Sequence, residues 1–197
     1  QSDVDELGKY ASIPVINALT DDDHPTQLLA DWLTIRENFG KDIKKRKFVY
    51  IGDGNNVANA WLIMGATMGA HIVVATPAGK WAPKSSVVDQ ANKIAKKSGG
   101  KIEVITDPKA AAQDASVIYT DVWMSMGDSE ADRAEKTSAL SSFAVTNDLM
   151  RLTTKDSIFM HCLPAHRGEE VAADVIDGPK SVVWRQAFHR RTTIQAL

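Results

Sequence analysis

The chain has 197 residues, 44% hydrophobic and 24% charged, globular proportions that exclude a disordered or low-complexity polypeptide. Its 23 Lys+Arg against 25 Asp+Glu leave a net charge of -2, with no basic excess to neutralise a phosphate backbone, so no nucleic-acid partner is expected. One cysteine, Cys162, excludes a disulfide framework, and without a signal-peptide pattern at the start a cytoplasmic setting is expected.

In chain order, residues 14–19 read as a strand, followed by Asp21, Asp22, Asp23 and His24. Pro25 then opens a helix with apolar Leu28, Leu29, Trp32, Leu33 and Ile35, ending near Gly40. Proline suits a first helical turn, where its missing N–H has no partner to lose. No earlier strand accompanies 14–19, and an isolated strand is unstable, so this stretch reads as the edge of a domain whose sheet lies outside the sequence. Lys44, Lys45, Arg46 and Lys47 form a solvated face before the next strand.

Short apolar runs follow at 48–51, 71–75, 101–105, 116–119, 157–160 and 181–184, mostly uninterrupted, as in strands covered on both faces. Helices lie between most of them: one from Asn56, one over 86–97 stopped by Gly99 and Gly100, one over 129–140 and a short one over 147–152. Residues 57–79 carry no Asp, Glu, Lys or Arg. Their change from helix-like to β-branched character marks a buried helix feeding a buried strand, with no membrane span. The alternation predicts an α/β fold, a doubly wound parallel sheet with helices on both faces (Rossmann-like). In such sheets chemistry sits in loops beyond the carboxyl ends of the strands.

Four segments could carry it. Gly52, Asp53, Gly54, Asn55 and Asn56 turn from a strand into a helix whose free N–H groups face an anion. As a dinucleotide fingerprint the segment fails, because Val57 replaces the third glycine and no acid ends the next strand, so no nicotinamide cofactor is expected. Two adjacent amides suit a carboxylate or amide ligand, or a turn with no ligand. After residues 116–119, Asp121 can hold an ammonium and Ser125 a carboxylate, a pairing for a zwitterionic amino acid; alternatively Asp121 caps a turn and Trp123, Met124 and Met126 are core. In the third segment His161, Cys162 and His166 lack the paired spacing of a structural zinc site, so no metal is expected. Cys162 has no partner thiol for redox work, and both a buried structural thiol and a histidine-paired nucleophile stay open. Last, His24 and Gln27 place a ring and an amide one helical turn apart at a helix start, where a capping histidine would do the same.

Taken together and in order, these segments resemble the ornithine carbamoyltransferases: His-Pro-Thr-Gln at 24–27, Gly-Asp-Gly-Asn-Asn-Val-Ala-Asn-Ala at 52–60, Asp-Val-Trp-Met-Ser-Met-Gly at 121–127 and His-Cys-Leu-Pro-Ala-His-Arg-Gly-Glu-Glu-Val at 161–171, then a final helix from Arg185. Within the wider carbamoyltransferase group the Ser-Met-Gly element is similar to that of the ornithine enzymes, not of those acting on aspartate or putrescine. The resemblance implies transfer of a carbamoyl group from carbamoyl phosphate to the δ-amine of L-ornithine. The products are L-citrulline and phosphate, in arginine biosynthesis, with no cofactor and a cytoplasmic homotrimer as the working form. It implies that Asn56, Asp121, Ser125 and Met126 bind ornithine's α-carboxylate and α-ammonium. Cys162 and Leu163 would lie beside the reacting carbon and δ-amine, serving both substrates, and His24, Gln27 and Arg190 would contact carbamoyl phosphate. Asp121, Cys162, His24 and Arg190 would be the catalytic group, with Cys162 a thiol or thiolate.

The same likeness divides the chain into 1–39, the last strand and linker helix of a carbamoyl-phosphate domain; 40–184, an ornithine-binding domain; and 185–197, a helix returning toward the first. Two departures stand out. The family's Ser-x-Arg-Thr-Arg phosphate loop does not occur in these residues, so the chain alone is expected to be inactive, and a catalytically silent ornithine-binding or regulatory module is the alternative. The final helix reads Ala187-Phe188-His189-Arg190 where the family usually has Ala-Glu-Asn-Arg. An apolar patch is expected on residues 1–39 and the final helix.

Overall fold

The computed structural model describes residues 2–41, 43–124 and 130–197. Five of the apolar runs form β1 (Lys47–Ile51), β2 (His71–Ala75), β3 (Lys101–Ile105), β4 (Val117–Thr120) and β5 (Ile158–His161). All pair in parallel, in the order β3-β2-β1-β4-β5. Around them stand α1 (Ser2–Tyr10), α2 (Pro25–Phe39), α3 (Asn56–Thr67), α4 (Ser85–Ser98), α5 (Pro108–Ala112), α6 (Glu130–Leu140), α7 (Asn147–Met150), α8 (Ala173–Ile176) and α9 (Val183–Gln195). No described helix is long and apolar enough to cross a membrane.

Alternation along the strands makes two cores. Phe48, Tyr50, Ile72, Val74, Val117, Tyr119 and Met160 face α2, α3 and α4, with Trp61 wholly buried among Trp32 and Tyr119. Val49, Ile51, Val73, Ile118 and Phe159 face the opposite side, toward α5, α7 and α8. Helices therefore cover both faces and the sheet is doubly wound. Close approach of α3 to β2 needs Gly65, where a Cβ would stand 2.1 Å from Ile72 Cγ1. Gly99, left-handed at φ 83°, ends α4.

Two expected strands are absent. Residues 14–19 form no ladder, because among the described residues no strand lies beside them, and β-propensity without a partner does not make a strand. That segment is tied instead by side chains: Thr26 Oγ1 donates to the Ala18 carbonyl at 2.7 Å and Asn59 Nδ2 to that of Asp22 at 3.1 Å. α1, which precedes it, was not anticipated and buries none of its residues. At 181–184 only Ser181 bridges Phe159, and α9 begins at Val183. Val182 and Val183 are apolar because they pack on the two cores, and burial was the whole of their signal.

α9 packs along α2. His189 is buried in that seam, with Nδ1 2.8 Å from Thr34 Oγ1 and Nε2 3.1 Å from Glu37 Oε1, while Arg185 Nε donates to Glu37 Oε2 at 2.8 Å.

Candidate active site

The strand order reverses between β1 and β4, so the loops beyond their carboxyl ends diverge and leave a crevice. The loop after β1 ends in Asn55, whose Oδ1 caps α3 by accepting from Val57 N at 3.0 Å and Ala58 N at 3.1 Å. The same oxygen accepts from the Tyr50 hydroxyl at 3.2 Å. Its Nδ2 is thereby aimed outward and donates to Asp121 Oδ2 at 2.8 Å. Gly54 lets the 79–83 segment close over this turn; a Cβ there would meet Pro83 N at 2.3 Å. Lys136 of α6 pairs with Asp53 at 2.7 Å, both nearly buried, and so pins α6 to the same turn.

Asp121 lies just past β4. Its Oδ1 accepts from Val122 N and from Cys162 Sγ, both at 2.8 Å. Burial, and next the Asp121 carboxylate, push the Cys162 thiol well above its ordinary range. Cys162 is thus a protonated donor to Asp121, the thiol and not the thiolate of the two expected forms. Next in sequence Leu163 adopts φ 60°, an uncommon conformation for a branched side chain. Its N–H donates to His161 Nδ1 at 2.8 Å, so His161 carries its proton on Nε2, which faces buried Glu170 Oε1 at 3.2 Å. His161 is therefore a prop for the loop, with both nitrogens engaged. His166 N also donates to Glu170, at 2.6 Å.

A second group comes from the start of α2 and from α9. His24 Nδ1 lies 3.0 Å from the Ala18 carbonyl and must carry hydrogen there. Burial first, then Arg190, lower its pKa, so the ring is neutral near pH 7 and Nε2 holds a lone pair. Arg190 Nη1 donates to Gln27 Oε1 and lies 3.4 Å from His24 Nε2. Arg190 Nε is buried without a partner among the described residues. Of these groups Arg190, a cation with a spare buried donor, is the one that offers hydrogen to an anion.

Of the anticipated residues, His24, Gln27 and Arg190 come together, as do Asp121, Cys162 and Leu163. Asn56 stands apart from Asp121: its Nδ2 donates to the Thr20 carbonyl at 2.8 Å and ties α3 to the N-terminal segment. Its neighbour Asn55 makes the Asp121 contact, and the N-cap position immediately before the helix was the signal that could have marked it. Ser125 and Met126 lie outside the described residues. Asp31 and Gln186, both buried beneath Gln27, were missed as well.

Residues 44–197 match the family model described as the Asp/Orn binding domain of aspartate/ornithine carbamoyltransferase, and residues 1–37 match its carbamoyl-P binding domain. An anabolic ornithine carbamoyltransferase of Pyrococcus furiosus is 53% identical over 188 residues, covering 95% of this chain and 59% of the relative. The ornithine carbamoyltransferase of Thermococcus kodakarensis is 51% identical over 99% of this chain and 62% of its own length. Among solved structures, the ornithine carbamoyltransferase of Pyrococcus furiosus superposes with a TM-score of 0.92 at 51% identity, over 100% of this chain and 63% of that one. That of Gloeobacter violaceus gives 0.90 at 40% identity, over 99% and 64%. The chain thus spans about three-fifths of the length of the relatives it matches.

Proposed function

The chain belongs to the aspartate/ornithine carbamoyltransferase family, and from that premise we propose that the complete polypeptide carrying it transfers the carbamoyl group of carbamoyl phosphate to the δ-amine of L-ornithine. The observation that carries this reading is the assembly of two groups from separate elements, the Asp121 carboxylate with the Cys162 thiol and the Arg190 guanidinium with Gln27 and the neutral His24. Asp121 holds the α-ammonium of the amino acid, with Asn56, Ser125 and Met126 as further ornithine contacts. The uncharged δ-amine attacks the carbamoyl carbon beside Cys162 and Leu163; a C–N bond forms, the C–O bond to phosphate breaks, and phosphate leaves with the proton that the amine gives up. Arg190 donates to the developing negative charge with no reorganisation at that moment. His24, neutral until an anion arrives, donates from Nε2 once protonated, and Gln27 through its Oε1 holds Arg190 on the phosphate side.

On this reading residues 1–39 belong with the carbamoyl-phosphate half, 40–184 bind ornithine, and 185–197 lead back to the first half. The working form is a cytoplasmic homotrimer in arginine biosynthesis. The test is citrulline formation by the complete polypeptide given carbamoyl phosphate and L-ornithine, with putrescine, N-acetylornithine and aspartate as rival acceptors. Citrulline from ornithine alone is the expected result. A preference for another acceptor overturns the ornithine assignment, and ornithine binding without turnover leaves a silent binding module instead.

A further inference from the structure

We propose that Asp31, buried behind the phosphate-side residues, is a positioning residue that sets the orientation of two glutamines and, through Gln27, the phosphate side of the site; this rests on the transfer reaction proposed above. Asp31 Oδ1 accepts from Gln27 Nε2 at 2.8 Å and from Gln186 Nε2 at 2.7 Å. Neither amide has a choice of orientation, because the far end of each meets a pure donor. Gln27 Oε1 accepts from Arg190, and Gln186 Oε1 accepts from His161 N at 3.0 Å. Both NH2 groups converge on the one oxygen Oδ1, and a carboxylate supplies there a charged acceptor that strengthens both bonds. One buried group thereby links Arg190 on the phosphate side with the backbone at His161, immediately before Cys162 and Leu163.

Charge matters as well as shape. Burial raises the Asp31 carboxyl to about 7, with the amide donors and Arg190 holding it down. The groups facing it are Gln27 on its own helix, Gln186 and Arg190 on α9, Tyr119 on β4 and Cys162 after β5. When Asp31 takes up a proton it acquires a donor of its own and loses its hold on Arg190. Asp31→Asn fixes the side chain in an equally neutral form of the same shape.

The experiment uses the complete polypeptide as wild type, Asp31→Asn and Asp31→Ala, assayed for citrulline at about pH 6 and about pH 8, either side of the value near 7. At the higher pH, Asp31→Asn is expected to raise KM for carbamoyl phosphate about tenfold, the scale of one weakened charge-assisted hydrogen bond, with KM for ornithine within about twofold. Wild type at the lower pH should approach the Asp31→Asn value. The pH change that persists in Asp31→Asn is the contribution of His24 and of the substrates' own ionisation. Asp31→Ala, which removes the acceptor altogether, should be the more impaired; if it fails to fold, Asp31→Asn alone decides the outcome.

An unchanged carbamoyl-phosphate KM in Asp31→Asn overturns the inference. So does a lowered one, the mark of a charge that merely repelled the anion, and so does an equal change for both substrates. A wild type that makes no citrulline fails the functional reading itself, and this inference with it, before any variant is compared.

Discussion

Asp121 and Cys162 show how one pair of side chains sets the chemistry available. A thiol donating to a carboxylate at 2.8 Å in a buried setting is the reverse of an activated nucleophile. Asp121→Asn removes the neighbouring negative charge, so the thiol pKa is expected to fall, and Cys162 should be alkylated faster at a fixed pH near 8. In the complete polypeptide, losing an ammonium partner should also weaken ornithine binding by about tenfold or more. Slower alkylation in the variant would contradict the charge argument. Asp31 carries the opposite sign. Its folded pKa of about 7 stands above the ordinary 3.8, so its contribution to stability is full below about pH 4 and lost as pH rises through about 7. Asp31→Asn escapes that loss and is expected to melt no lower than wild type at about pH 8, as read by thermal unfolding. A carboxyl kept at that cost is one whose function outweighs its stability.

The turn from β1 into α3 shows how an element places such groups. Asn55 caps the helix and, because its carbonyl is committed there, presents its amide to Asp121. Glycines set how closely neighbouring segments approach. At Gly65 an added methyl meets the side chain of Ile72, which can shift. Overpacking there costs about 1–3 kcal/mol against about 1 kcal/mol returned by better helix propensity. At Gly54 the obstacle is the Ala82–Pro83 backbone, with no rotamer to yield, and no helical gain offsets the clash. Urea unfolding should therefore rank wild type above Gly65→Ala and Gly65→Ala above Gly54→Ala. The reverse ranking would refute the close-approach argument.

At the scale of the whole molecule, the reversal of strand order puts the Asn55, Asp121 and Cys162 loops at one end of the sheet, and the α2–α9 seam brings His24, Gln27 and Arg190 together. His189 stands where the family usually has asparagine, yet it stitches that seam through Thr34 and Glu37. The outer surface of the same region is apolar. Trp184 is 70% exposed and Phe188 49%, one turn apart on α9, and Leu7, Tyr10, Ile13 and Ile16 are also open to solvent. Such a surface is an association surface. The 197-residue chain is expected to self-associate in light-scattering chromatography, and Trp184→Ser with Phe188→Ser to reduce it. A monomer unaffected by the double substitution would mean the patch is inert.

Strand–helix alternation, uninterrupted apolar runs and capping residues are local signals, and they sufficed for the doubly wound sheet, five of its strands and the loops that carry the chemistry. For Asp121, Cys162 and His24 local signals left a turn cap, a structural thiol and a helix cap equally open, and Arg190 was marked by the family resemblance alone. Local signals failed where the outcome depends on a partner in space. Residues 14–19 have β-propensity but no neighbouring strand, and 181–184 are apolar through burial alone. Whether Asn55 or Asn56 meets Asp121 depends on which of them caps the helix. The protonated state of Cys162 and the command of Asp31 over two glutamines come from groups 41 and 155 positions away in sequence. Hydrogen bonds and burial of that kind exist only once the chain has closed on itself, because a short stretch of sequence encodes a propensity and an interaction needs both of its partners.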